Sequence, residues 1–147
     1  MKRHDSLIPL THDHHHALAQ ARRLRLAAAR EEDERLPAVE EFLAFFENDT
    51  LLHFREEEEV IFPLVVEEVE AAEPLQRLLM DHVWIHAAVA ELRFAVPDVS
   101  AKAMEALATR LESHIRFEEK TFFPLVERLA SSRLGGIALS ERVRGPS

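Results

Sequence analysis

Two stretches of the chain repeat one another in register. HFREEEEVIFP runs from His53 to Pro63, and HIRFEEKTFFP runs from His114 to Pro124. Both copies carry a leading His, a Glu pair at the fourth and fifth following positions (Glu57 and Glu58; Glu118 and Glu119) and a closing Phe-Pro. A helix turns about 100° per residue, so a His and the Glu four positions on lie on one face, one turn apart. Two such pairs inside apolar helical stripes are what a metal site in a helix bundle requires. Either copy alone would suit a solvated Glu-rich face equally well. The repetition argues against that reading.

With 147 residues, the chain has room for one domain with a genuine core. It has only three Gly, no Tyr, and many Leu, Ala and Glu, a composition that favours helices over strands. The formal charge of −9 repels phosphate backbones, which makes nucleic acid and anionic membranes poor partners. No Cys is present, so disulfides, thiolate metal sites, iron–sulfur clusters and thiol catalysis are excluded. No apolar run approaches the ~20 residues that cross a bilayer. MKRHDSLIPL lacks a signal-peptide core, and the expectation is a soluble cytoplasmic protein.

In chain order, Leu7, Leu10, Ala17, Ala21, Leu24 and Ala28 form an apolar stripe with His14 on it, predicting a helix over about 7–30. The acidic run EEDE at 31–34 ends that pattern, and Pro37 opens a second helix to about 69, with a kink or break at Pro63. Its stripe holds Phe42, Phe46, Asp49, His53, Glu57, Val60 and Leu64. A third helix, about 74–95, turns Leu75, Leu78, Leu79, His82, Ile85, His86, Val89 and Leu92 inward. The fourth, about 100–131, carries Met104, Leu107, Leu111, His114, Glu118, Phe122 and Leu125. The reading is a single domain over 1–147: an all-α, up-down-up-down antiparallel four-helix bundle over about 7–131. Residues 132–147 form a short C-terminal tail, either a docking helix or a flexible end.

In such a bundle, residues equally far from a shared turn stand at one height. The midpoint of His14 and His53 falls at 33–34. That of His53/Glu57 and His82/His86 falls near 69–70, and that of His82/His86 and His114/Glu118 at 100. All three coincide with turns marked by Pro or acidic residues. The polar stripe residues therefore share a layer.

Seven groups would converge there: His14, His53, Glu57, His82, His86, His114 and Glu118. Burying two carboxylates uncompensated costs several kcal/mol each, and no Lys or Arg lies on the inner stripes. Cations supply the compensation. Imidazole with carboxylate suits iron or zinc, whereas magnesium and calcium prefer all-oxygen shells. Seven ligands exceed the four of tetrahedral zinc. Two six-coordinate ions need about twelve bonds, and the seven residues with a shared oxygen leave about one position for a small ligand.

These motifs resemble the hemerythrin-like, or HHE cation-binding, family. The matching residues are His14 in DHHHAL, H-x-x-x-E at His53/Glu57, H-x-x-x-H at His82/His86 and H-x-x-x-E at His114/Glu118. The resemblance covers about residues 7–130. It implies a non-haem centre of two iron ions bridged by oxygen and carboxylates, with zinc or manganese as possible substitutes. Family members bind dioxygen, sense oxygen or iron, or handle peroxide or nitric oxide. Oxygen carriers in the family place the last carboxylate five positions after its His, here Glu119, while the wider group uses the four-residue spacing, here Glu118. Within the His12–His16 cluster, His14 has the apolar stripe, with His15 and His16 as alternatives.

Asp49, one turn before His53, is a candidate to accept a ring N–H from it. Asp13 and Asp81 are expected to face solvent, as are His4 and His12. Three functions compete. The first is a di-iron protein that binds dioxygen or a related small ligand, for sensing, carriage or storage. The second is a di-iron enzyme acting on peroxide or nitric oxide, disfavoured because no protonatable side chain stands out beside the open position. The third is metal homeostasis or a zinc-stapled structural bundle.

Overall fold

A computed structural model describes residues 2–140. Four helical rods account for most of them, and no strand occurs among the described residues. The first rod is α1 (Ile8–Ala28), entered through a 3₁₀ turn at Asp5–Leu7. Pro9 sits in its first turn, where a missing N–H leaves no bond unmade.

The second rod is composite. It comprises α2 (Glu32–Phe45), a π turn at Phe46–Thr50, α3 (Leu51–Glu56), a π turn at Glu57–Ile61 and a 3₁₀ turn at Phe62–Leu64. It starts earlier than expected from Pro37, which lies inside α2. Glu32, Asp33 and Glu34 fill its first turn, where carboxylates suit the positive end of the helix dipole. The acidic run thus opens this helix as well as closing the previous one. The rod also ends earlier than 69, because Pro63 falls in its last 3₁₀ turn.

The third rod is α4 (Ala72–Ala95), and the fourth combines α5 (Ala101–Phe117), a π turn at Glu118–Phe122 and α6 (Phe123–Leu134). Ser100 caps α5, its side chain accepting from the Ala103 N–H at 3.1 Å. The two sequence repeats adopt one irregularity. Each has a π turn that begins on the inward Glu, at Glu57 or Glu118, and gives way to Phe-Pro. Proline lacks an N–H and its ring crowds the carbonyl four residues back. Widening the turn before it accommodates both without breaking the rod.

The rods run up-down-up-down, as two apolar clusters show. One joins Leu7 and Leu10 at the start of the first rod with Ile61 and Phe62 near the end of the second. It also takes in Leu75 and Leu78 at the start of the third and Phe122 and Val126 late in the fourth. The other joins the opposite ends: Leu24 and Ala28, Val39 and Phe42, Val89 and Leu92, Met104 and Leu107. Each fully buried Leu or Phe contributes roughly 1.5–3 kcal/mol, so two apolar plugs hold the bundle above and below its middle. Between them lies a layer of buried His, Asp and Glu.

Past Leu134 the chain packs Ile137 and Leu139 on the first of these clusters, and the Ser140 N–H donates to Glu56 Oε2 at 2.6 Å. The tail expectation beyond residue 140 lies outside the described residues.

Candidate metal centre

Six of the seven expected groups meet in the polar layer. His14, His53, Glu57 and Glu118 can close on one ion, and Glu57, His82, His114 and Glu118 on a second. All six residues are buried, with Glu57 and Glu118 at 0% exposure. Both carboxylates belong to both groups, so they stand between the two positions as bridges would.

The seventh, His86, does not join them. It is exposed, and its ring packs edge-on against Phe46 (5.5 Å) and Phe54 (5.8 Å). His82 already occupies the layer, and one turn further along α4 the interior is filled by those phenyl rings. In the His12–His16 cluster, His14 alone is buried; His12 and His15 are exposed and His16 is half-buried. His4 is not simply solvated: its Nδ1 accepts from the Ser6 N–H at 3.0 Å, capping the first 3₁₀ turn.

Each of the four imidazoles directs Nδ1 to an outer carboxylate. His53 donates to Asp13 (2.8 Å), His82 to Glu58 (2.6 Å), His114 to Asp81 (3.0 Å) and His14 to Glu119 (2.6 Å). Ionised carboxylates only accept, so Nδ1 carries a proton and Nε2 faces inward as the nitrogen that a metal would take in exchange for any proton there. The bonds form a closed circuit. The first rod holds the second rod's His, the second the third's, the third the fourth's, and the fourth the first's.

Expectation missed part of this circuit. Asp13 and Asp81 are buried, not solvent-facing, each 5% exposed. A residue one position before an inward His is turned about 100° from it, which in a bundle points sideways at the neighbouring rod. The Asp-His pairs at 13–14 and 81–82 were the available signal. Asp13 takes the Nδ1 of His53, the place expected for Asp49, which instead lines a neighbouring cavity. Both members of each repeated Glu pair are used: Glu118 faces the centre and Glu119 holds His14 from outside.

On the inner side His14 Nε2 lies 2.8 Å from Glu118 and His82 Nε2 lies 3.1 Å from Glu57. His53 Nε2 is 3.2 Å from Glu57, and His114 Nε2 is 3.5 Å from Glu118. Burial by itself would lower the His53 pKa, but the Glu57 and Glu118 carboxylates outweigh it and push it up to about 10. Burial likewise opposes, without preventing, the rise at His14 caused by Glu118 and Glu119, and at His82 caused mainly by Glu57. Glu57 is held well below the usual carboxylate range, its burial overcome by His53, Glu118 and His82. Protons thus stand where cations would.

The donor atoms fit metal ions. His53 Nε2, His114 Nε2, Glu57 Oε2 and Glu118 Oε2 are buried, converge on the centre and have no hydrogen-bond partner. Such groups cost about 1–3 kcal/mol each when left unsatisfied, and coordination removes that cost. Their Nδ1 partners are the outer carboxylates that characteristically orient metal-bound imidazoles.

A family model described as hemerythrin HHE cation binding domain matches residues 8–126. The chain belongs to the hemerythrin HHE cation-binding family. No curated protein and no solved structure gives a match. In this HHE domain the matched span runs from the start of α1 to the first turn of α6, so it includes every residue of both donor groups. No helix of the described residues is long and apolar enough to cross a membrane.

A cavity of about 20 Å³ adjoins the centre. That holds one water-sized molecule. Its wall is formed by His14, His53 and His114, with Asp13, Ala17, Phe45, Asp49, Thr50, Phe54, Leu111 and Ile115. His82 is not in the wall: Phe54 stacks on its ring at 3.8 Å, and Phe62 lies 5.8 Å away.

Proposed function

We propose that this HHE domain carries two iron ions and binds dioxygen or a ligand of similar size beside the His14 and His53 imidazoles. The observation that carries the reading is the pair of shared carboxylates, Glu57 and Glu118, each common to two His₂ groups and each with one buried oxygen, Oε2, that accepts no hydrogen bond. His14, His53, Glu57 and Glu118 would hold one ion, and His82, His114, Glu57 and Glu118 the other. With His86 absent, these six residues supply about eight of the twelve bonds that two six-coordinate ions need, more open positions than expected from sequence. Iron at such a site supplies reversible one-electron chemistry and affinity for small diatomic ligands.

The protein's own part is to orient and exclude. The Nδ1 circuit fixes each ring, and the apolar plugs keep bulk water from the layer. The cavity admits a ligand of a few atoms only. Elemental analysis of protein expressed with iron should give two irons per chain, with near-ultraviolet charge-transfer absorption that changes on exposure to dioxygen. A single zinc per chain, or a spectrum indifferent to oxygen, would sink the reading in favour of a structural staple.

A further inference from the structure

The second rod carries a π turn at Phe46–Thr50 that the fourth rod lacks at the equivalent height, where α5 runs unbroken from Ala101 to Phe117. A π turn takes one residue more than an α turn, so the positions beside it change face. The apolar stripe puts Asp49 inward at this level. In the structure Asp49 is half-buried, whereas Thr50 is turned further in, at 6% exposure. Thr50 precedes His53 by three residues, the spacing that stacks two side chains one turn apart, and it lines the cavity beside that imidazole. Its counterpart in the second copy of the repeat is Leu111, which lines the same cavity. The second rod thus presents a hydroxyl where the fourth presents a hydrocarbon.

That hydroxyl is the group in the wall suited to donate a hydrogen bond to a small ligand. His14, His53 and His114 also border the cavity, but their Nδ1 protons go to Glu119, Asp13 and Asp81, and their Nε2 atoms are the nitrogens offered to metal. Asp13 and Asp49 are carboxylates, which accept when ionised. The remaining side chains of the wall are aliphatic or phenyl. A hydroxyl carries one proton, which rotates to suit its partner. We infer that Thr50 is a positioning residue: it donates a hydrogen bond to the ligand held beside His14 and His53. The inference rests on the ligand-binding reading above and narrows its chemistry to ligands with an outer acceptor atom, such as dioxygen or nitric oxide. One such bond, formed in exchange for a bond to water, shifts an equilibrium by about threefold to tenfold.

The experiment forms the nitric oxide complex of ferrous-loaded, anaerobic protein and records its infrared N–O stretch in H₂O and in D₂O, together with the rate at which nitric oxide leaves. In the native protein the stretch should shift between the two solvents. Thr50→Val, which keeps the shape of the side chain, and Thr50→Ala should lose that shift, raise the stretching frequency and release nitric oxide about threefold to tenfold faster, with metal content unchanged. Thr50→Ser should keep the native values. A native stretch indifferent to D₂O, a shift and release rate unaltered in both variants without a hydroxyl, or an equal change in Thr50→Ser overturns the role of Thr50 and leaves ligand binding standing. Native iron-loaded protein that binds no nitric oxide overturns the ligand-binding reading itself, and this inference with it.

Discussion

The His14/His53 group and the His82/His114 group hold the same donors around the same two carboxylates, yet their surroundings differ. His14 stacks on Phe123 (5.4 Å) and His82 on Phe62 (5.8 Å), and these two phenylalanines are equivalent positions of the sequence repeat. The next equivalent pair breaks the symmetry. Phe54 lies flat on His82 and its edge borders the cavity, whereas its counterpart in the second copy, Ile115, borders the cavity with a smaller side chain and stacks on no imidazole. A smaller side chain leaves the space that a ring fills on the other side. Donor chemistry follows the repeated residues, and access follows the unrepeated ones.

The largest effect should come from breaking what the two groups share. Glu57→Ala removes a carboxylate common to both, so metal content should fall from two ions towards none. His82→Ala strikes one group alone and should leave about one ion per chain. Plasma emission analysis of dialysed protein separates the two outcomes. Equal metal loss from both variants would mean that the groups do not share Glu57 as a bridge. The loaded Glu57 variant should also lose the stabilisation that bound metal confers by binding only the folded state.

A smaller, more selective effect should come from erasing the asymmetry. Ile115→Phe places a ring where the cavity now lies and should weaken nitric oxide binding at least tenfold while two ions are retained. Overpacking costs roughly 1–3 kcal/mol, so the melting temperature should fall by several degrees without unfolding the domain. Full affinity in a variant with full metal content would show that ligand reaches the centre by another face.

Much of this was legible from sequence because the signals were periodic. The apolar stripes found four rods, and the midpoint construction found the common layer from His14, His53 and the His53/Glu57, His82/His86 and His114/Glu118 pairs. It failed at His86 for a physical reason. Spacing of four says that two side chains share a face, not that the interior has room for both, and Phe46 and Phe54 occupy the space above His82. Asp13 and Asp81 were missed because stripe analysis divides a helix into inside and outside, whereas a bundle has flanks that face neighbouring rods. The cavity was invisible beforehand, since it depends on the difference between Phe54 and Ile115 after both are packed.

The mildest test sharpens the comparison through protons. In the metal-free protein His53, in the cavity-side group, is raised from 6.5 to about 10, chiefly because Glu57 and Glu118 overcome its burial. His82, in the covered group, is raised too, by Glu57 above all. A folded-state pKa above the unfolded value means that folding binds protons. The stabilisation is complete below about 6.5 and is lost as pH climbs through about 10. Glu57 acts at the other end: with its pKa lowered from 4.5, its contribution is present above that value and lost as pH falls through the depressed one. Melting of metal-free protein followed by circular dichroism should thus show a temperature that declines steadily between these upper limits. Iron-loaded protein should show little decline over the same window, because cations that do not titrate there replace the imidazolium protons. A metal-free melting temperature that rises across that window would mean that His53 and His82 are not held protonated by Glu57 and Glu118.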